Sequence, residues 1–333
     1  MSSMTPDPTP LRFDTPIVPG GYAWWYLDGV SDDGALGFTI ILFIGSVFSP
    51  RYARARARAR ARAQPANPEQ HCAVNLAIYA TEQATRVWAL NEHASFARDA
   101  KQLRIGASTI HWQDDGALVV ELDERQTKFF GRRGAPLRGR VRLRPAAMFG
   151  PRVELDHWRA QPRHRWYPVA PHARVDFELD EPAMSFSGSG YHDVNEGDEP
   201  LEAAFDSWTW SRCELDRNSV ITYDVVDPAG VAHARAWRFD PSGSTPTIES
   251  IPDAAFGPAH PLATTRWGVA RSIRSDPGHT PRLLRTLEDT PFYSRNLVEV
   301  KIGGRAATAV HESLSLRRFA SAWVRGLLPF KIS

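Results

Sequence analysis

An all-β fold in two barrel-like halves is what the sequence predicts, on three observations. Strand-length apolar runs recur between turn residues, and no segment before the C-terminal tail keeps a long 3.6-residue apolar period. The chain is also rich in aromatics, with 11 Trp, 16 Phe and 8 Tyr among 333 residues. Short runs at such spacing mark sandwiches and barrels, and aromatic rings suit the pleated surface of a strand. The length is enough for two domains of ordinary size.

Residues 1–18 read as a flexible lead. Tyr22 to Asp28 forms a short aromatic strand ending at Ser31-Asp-Asp-Gly34, a hairpin turn by its Asp-Gly pair. Leu36 to Phe48 is apolar almost throughout and, at 13 residues, too short to span a bilayer as a helix; a strand buried on both faces fits better, with a membrane-dipping segment as the other reading. The Ala/Arg repeat Arg51 to Arg62, within an insertion over 51–66, would put its arginines on one face as a strand and spread them as a helix. It is expected to be a solvated insertion at a strand end, and as a basic segment it also suits an anionic membrane surface.

Further strands are expected at Val74 to Tyr79, Arg86 to Asn91, Ile105 to Trp112, Ala117 to Leu122, Leu137 to Leu143, Ala173 to Leu179 and Met184 to Tyr191. The first domain is placed at 19–200. A second series, in a domain over 201–333, comprises Trp208 to Leu215, Ser219 to Val226, Val231 to Phe239, Thr245 to Ile251, Thr265 to Ser272, Pro281 to Leu287, Leu297 to Ile302 and Thr308 to Ser315. In the tail, Leu316, Phe319, Ala320, Trp323, Val324, Leu327 and Leu328 fall at helical spacing among basic residues. This terminal amphipathic helix either packs on the barrel or lies on a lipid interface.

Hydrophobic content of 42% and charged content of 23% are those of a globular protein. The formal net charge is +2; six of the 40 Lys and Arg sit in the repeat, leaving 34 against 38 acidic groups. Nucleic acid is therefore not an implied partner. Two cysteines, Cys72 and Cys213, make no disulfide framework or zinc site and are expected to be buried thiols. Met1 to Pro10 lacks the pattern of a secretory signal, so the cytoplasmic side is expected. The histidines show no His-Glu-x-x-His spacing, and Gly188-Ser-Gly190 lacks the spacing of a dinucleotide fingerprint. No cofactor and no metal are expected.

The densest chemistry lies in Gly188-Ser-Gly-Tyr-His-Asp-Val-Asn-Glu-Gly-Asp-Glu-Pro-Leu201, followed by Trp208-Thr-Trp210. Fourteen residues hold one Tyr, one His, one Asn, four carboxylates and three glycines. The glycines read as a strand end running into a tight turn. Asp193 is the candidate acid, because a carboxyl group beside aromatic rings is pushed towards its neutral form. Tyr191, two residues earlier, shares its face if the strand continues. Glu196, Asp198 and Glu199 read as loop acids, with Glu196 or Asp198 as an alternative acid.

This motif, with Trp208-Thr-Trp-Ser211, resembles the carotenoid 1,2-hydratases, or hydroxyneurosporene synthases. So do Pro19-Gly-Gly-Tyr-Ala-Trp-Trp-Tyr26, Phe43-Ile-Gly-Ser-Val-Phe-Ser-Pro50 and Glu288-Asp-Thr-Pro-Phe-Tyr293, in order from about residue 19 to 294. The resemblance implies paired lipocalin-like barrels and addition of water across the terminal C1=C2 bond of an acyclic carotene, without cofactor. It implies peripheral contact with membrane lipid on the cytoplasmic side of the inner photosynthetic membrane. It also points to His164 and Trp166 as lining the cavity of Asp193 and Tyr191, with Trp166 meeting positive charge through its ring. Trp24, Trp25, Trp208 and Trp210 are candidate channel walls. The rival readings are a non-catalytic carotenoid or lipid binder and a pericyclic cyclase on a related fold; a glycosidase fits least.

Overall fold

The computed structural model describes residues 12–62, 66–80, 87–127, 133–243, 245–321 and 323–324. The chain divides into two compact units, one ending at Pro200 and the next beginning at Leu201. Both are mostly β.

The first unit holds β1 (Tyr22–Ser31), β2 (Leu36–Ile44), β3 (Cys72–Ala80), β4 (Val87–His93), β5 (Phe96–Arg98), β6 (Gln102–Ile105), β7 (Ser108–Trp112), β8 (Leu118–Thr127), β9 (Arg133–Pro145), β10 (Val153–Glu154), β11 (His164–Glu181) and β12 (Ala183–Gly197). They form one antiparallel sheet in the order β4-β3-β2-β1-β12-β11-β9-β8-β7-β6-β5, with β10 beside β11. The sheet curls until β4 meets β8: Asn91 Nδ2 donates to Glu124 Oε2 (2.7 Å) and the Leu90 N–H to Thr127 Oγ1 (3.0 Å). One face carries the apolar core, with Leu27, Ile40, Leu76, Val120, Val141 and Phe177 among its fully buried members. Each such side chain contributes roughly 1.5–3 kcal/mol by leaving water.

The structure corrects several expectations. The Ala/Arg repeat, expected as a solvated insertion, is a helix with a buried side, α1 (Pro50–Arg62). Ala and Arg are strong helix formers, Ser49 Oγ accepts the Tyr52 N–H (3.0 Å), and Pro50 suits the first helical position. Tyr52 and Arg56, one turn apart, are buried, with the guanidinium over the ring at 4.6 Å and the Tyr52 hydroxyl donating to the Gly21 carbonyl (2.6 Å). Residues 63–65 lie outside the described residues.

The glycines at 188 and 190 make no turn, because β12 runs unbroken to Gly197 and pairs with all of β1. A side chain at 188 would strike the Val30 carbonyl oxygen, so glycine there permits close strand approach. β11 begins already at His164, ahead of the strand expected from Ala173, and carries bulges between Pro168 and Ala173.

The second unit holds β13 (Ser207–Leu215), β14 (Asn218–Val226), β15 (Ala232–Asp240), β16 (Thr247–Ser250), β17 (His260–Leu262), β18 (Arg271–Ile273), β19 (Arg282–Asp289), β20 (Tyr293–Ile302) and β21 (Arg305–Ser315). Seven form a sheet in the order β16-β15-β14-β13-β21-β20-β19, and β17 pairs with β18. The strand expected from Thr265 is only β18, since Thr265–Gly268 closes a turn through the Gly268 N–H (2.9 Å). Val220, Val298, Val300 and Ala309 lie in its core. In the tail, α2 (Leu316–Phe319) is capped by Ser315, and the remainder of the expected helix beyond Val324 lies outside the described residues. No helix among the described residues is long and apolar enough to cross a membrane. Cys72 and Cys213 are buried free thiols, each raised to about 12 by burial.

Candidate active site

Three neighbouring strands build the site. Along β1, Tyr22, Trp24, Tyr26 and Asp28 stand opposite Gly197, Asn195, Asp193 and Tyr191 of β12. On the other side of β12, His164, Trp166 and Pro168 of β11 stand opposite Gly197, Asn195 and Asp193. Because side chains alternate along a strand, all of these share one sheet face. Their odd-numbered neighbours on β1, Trp25 and Leu27, belong to the apolar core on the other face.

Asp193 is 5% exposed and accepts hydrogen bonds from Trp166, Tyr191 and Asn195. Trp166 Nε1–H and the Tyr191 hydroxyl both donate to Oδ2, each at 2.7 Å, and Asn195 Nδ2 donates to Oδ1 at 3.1 Å. Trp166 therefore meets the carboxylate by its N–H edge rather than presenting only its ring. Tyr191 is fully buried, and burial with the adjacent carboxylate holds its phenol well above the ordinary value. It stays protonated and acts as a donor.

His164 is fully buried, with Nδ1 2.8 Å from the Tyr22 hydroxyl and its backbone N–H on Asp156 Oδ1 (3.0 Å). Its Nε2 lies 3.7 Å from Glu199 Oε1. His164, and after it Arg159, hold the Glu199 carboxyl down to about 2 against the opposing effect of burial. The other acids of the motif are occupied too. Arg165 donates through Nε to Glu196 (2.7 Å) and through both terminal nitrogens to Asp198 (3.0 and 2.6 Å), while the Tyr167 hydroxyl donates to Glu196 (2.8 Å). Glu196 is part of β12 and, unlike Asp193, occupies the other face.

Of the residues singled out from the sequence, Asp193, Tyr191, Trp166, His164 and Trp24 gather on this face. Trp24 stacks on Tyr22 at 4.9 Å and meets Phe43 edge-on at 6.0 Å. Trp25 packs in the opposite, apolar face against Phe13 at 5.5 Å. Trp208 and Trp210 lie on β13 of the second unit, Trp208 against Phe205 and Tyr223. The sequence reading missed Tyr22, Tyr26, Asp28 and Asn195. Asp28 is fully buried and accepts the Tyr26 hydroxyl at 2.8 Å. The signal was there: Tyr26-Leu-Asp28 repeats the Tyr-x-Asp pattern of Tyr191-His-Asp193. Among the described residues no group of three His, Cys, Asp or Glu side chains is placed to hold a metal ion.

The sequence profile described as Carotenoid hydratase CrtC matches residues 40–333. The chain belongs to the carotenoid hydratase CrtC family. Within the CrtC family it is similar to the acyclic carotenoid 1,2-hydratase of Thiocapsa roseopersicina, at 44% identity over 324 residues, 96% of this chain and 75% of the relative. The acyclic carotenoid 1,2-hydratase of Rubrivivax gelatinosus is 41% identical over 328 residues, with the same two shares. Among solved structures, a putative AttH from Nitrosomonas europaea superposes with a TM-score of 0.60 at 16% identity, covering 88% of this chain and 91% of that one. At that identity the likeness concerns the fold alone, and it places this CrtC family chain among mostly β proteins of similar architecture.

Proposed function

We propose that this protein is an acyclic carotenoid 1,2-hydratase, a hydro-lyase that adds water across the terminal C1=C2 bond of acyclic carotenes of the neurosporene and lycopene type. The product is a tertiary alcohol. Identity of 44% and 41% to proteins of that name supports the activity. One observation carries it to residues: the buried Asp193 carboxyl, held by Trp166, Tyr191 and Asn195 on an aromatic face.

Hydration of an unactivated alkene needs an acid, a site that tolerates a tertiary cation, and water. Two donors fill the acceptor positions of Asp193 Oδ2, so the proton to be delivered belongs on Oδ1. Transfer from Oδ1 to C2 leaves a cation at C1 beside the carboxylate just formed. Attraction between the two is strong in a site where water is excluded. The faces of Trp24 and Tyr22 add stabilisation, about 2 kcal/mol for a desolvated cation over an indole. Water then forms the C1–O bond, and its proton returns to Asp193. His164, fixed by Tyr22 and Glu199, sets one end of this face.

The hydrocarbon substrate implies a lipid source, and we place the enzyme peripherally on the cytoplasmic side of the inner photosynthetic membrane. The exposed Arg54 and Arg58 of α1 support that placement.

The test is incubation of the purified protein with lycopene or neurosporene in isotope-labelled water, wild type beside Asp193→Asn. Labelled tertiary alcohol from wild type and none from a variant that still binds pigment is the expected result. Pigment binding without labelled product from either protein would replace this reading with carotenoid binding alone.

A further inference from the structure

Asn195 is 5% exposed and spends only half of its amide on the protein. Its Nδ2 donates to Asp193 Oδ1 at 3.1 Å, while its Oδ1, fully shielded from solvent, has no hydrogen-bond partner among the described residues. A buried amide oxygen left in that state is destabilising, because its lost contact with water is not replaced. Native proteins retain such groups where they have a task. The side chain is also locked in place. It stands on β12 between Trp24 of β1 and Trp166 of β11, and its nitrogen is held by the acid itself.

Resting on the hydratase reading above, we propose that Asn195 is the positioning residue for the nucleophilic water, its Oδ1 accepting one water O–H while its Nδ2 keeps Asp193 Oδ1 in register. The amide then binds the two reactants that must reach adjacent carbons. Protonation breaks the Asp193 Oδ1–H bond and forms C2–H, leaving a cation at C1 and a carboxylate. The water on Asn195 contributes a lone pair to C1, forming C–O. The resulting oxonium loses its proton to Asp193, which restores the acid. Alkene and water are consumed, alcohol is formed, and no oxidant or reductant enters. Through Nδ2, Asn195 leaves the acid hydrogen free to point at the alkene, since a protonated Oδ1 keeps a lone pair for the amide N–H.

Without the amide oxygen, the cation still forms but loses a proton instead of capturing water. Wild type, Asn195→Leu and Asn195→Ala are therefore incubated with lycopene in deuterated water, and two products are counted: the tertiary alcohol, and recovered carotene that has gained deuterium. The expected result is a fall in alcohol formation of at least 100-fold, with exchange into recovered carotene retained. The ratio of exchange to alcohol then rises at least tenfold in whichever variant folds by circular dichroism.

If both products fall in parallel, Asn195 only supports Asp193 and the proposal is overturned. Unchanged alcohol formation in either folded variant overturns it as well. A role in folding alone changes the amount of active enzyme and leaves the ratio where it is in wild type. Should wild type itself yield no labelled alcohol, the hydratase reading fails rather than the assignment of Asn195 within it.

Discussion

Tyr26 and Asp193 are cross-strand partners, and one step along the same pair of strands Asp28 stands opposite Tyr191. Each tyrosine donates its hydroxyl to the aspartate two residues ahead on its own strand, at 2.8 Å on β1 and 2.7 Å on β12. The two Tyr-x-Asp units are thus antiparallel copies of one device, with the tyrosine rings edge-on at 5.9 Å. They differ in what else reaches the carboxylate: Asp193 also takes the Trp166 indole and the Asn195 amide.

That difference gives the first prediction. Tyr191→Phe removes one hydrogen bond to a charged group, a contribution of about 1.5–3 kcal/mol, and is expected to lower turnover about ten- to hundredfold. Trp166→Phe should act similarly, and the double variant should fall short of the product of the two because both bonds end on Oδ2. Tyr26→Phe makes the same chemical change beside Asp28. It is expected to lower the melting temperature more than turnover. Steady-state rates and thermal melts of the set decide the matter, and equal rate losses for Tyr26→Phe and Tyr191→Phe would erase the distinction.

A second prediction concerns Gly197. A Cβ there would lie 2.5 Å from the Tyr22 ring and 2.7 Å from His164 Nδ1, so the Tyr22–His164 bond crosses a space only glycine leaves. Gly197→Ala is expected to destabilise by about 1–3 kcal/mol through overpacking. It should also displace His164 and reduce turnover more than pigment affinity. Turnover measured with pigment titration on the folded variant checks this.

His192 and His311 are both buried, and burial pushes each imidazole down to about 4 from its ordinary 6.5. Unfolded chains bind protons at these rings once pH falls below about 6.5, while the folded protein does not until about 4. Stability present above 6.5 is therefore lost as pH falls through that window. Each ring contributes a slope approaching about 1.4 kcal/mol per pH unit. His192→Asn retains an N–H for the Tyr26 carbonyl, which His192 Nδ1 contacts at 2.9 Å, and removes one titrating ring. Denaturant melts from pH 7 to 4 should show a shallower loss in the variant; an unchanged slope would refute the assignment.

The strand pattern was legible because period-two runs and turn residues report burial directly, as at Leu36–Ile44 and Asn218–Val226. The spacing of Tyr191 and Asp193 likewise carried their shared face. Which strands pair was not legible, since β1 meets β12 across more than 150 residues of chain, and that pairing alone brings Asp28 and Tyr26 to the site. For the same reason Trp24 and Trp25 looked equivalent, although neighbours in a strand point to opposite faces. Trp208 and Trp210 looked adjacent to the motif by sequence, yet they belong to the sheet of the next unit. The period of two in the Ala/Arg repeat is compositional and leaves strand and helix open; helix propensity, not alternation, decides it.

The two tryptophans of β1 allow a direct test of which face works. Trp25→Leu opens a gap in the apolar core and should reduce stability by somewhat less than the roughly 3–5 kcal/mol of full truncation, with turnover per folded molecule unchanged. Trp24→Leu removes the ring stacked on Tyr22 and should reduce turnover with a smaller change in melting. The opposite outcome would move the reaction to the barrel's apolar face.

The basic helix yields the last prediction. Arg56 is buried over Tyr52 and the exposed Arg51 lies 3.7 Å from Glu92, while Arg54 and Arg58, one turn apart, are exposed on α1 as well. If α1 meets an anionic leaflet, each of these two contributes roughly 1 kcal/mol near the surface, an effect that falls within a Debye length of about 8 Å at physiological salt. Arg54→Glu with Arg58→Glu then loses that attraction and adds repulsion, weakening binding to phosphatidylserine vesicles by at least about 30-fold. Binding to neutral vesicles should stay as in wild type, and high salt should bring the two proteins together. Vesicle co-sedimentation at two salt concentrations measures it, while hydration of carotene dispersed in detergent reports whether the site itself is intact. Equal affinity of both proteins for anionic vesicles would rule out α1 as a membrane contact.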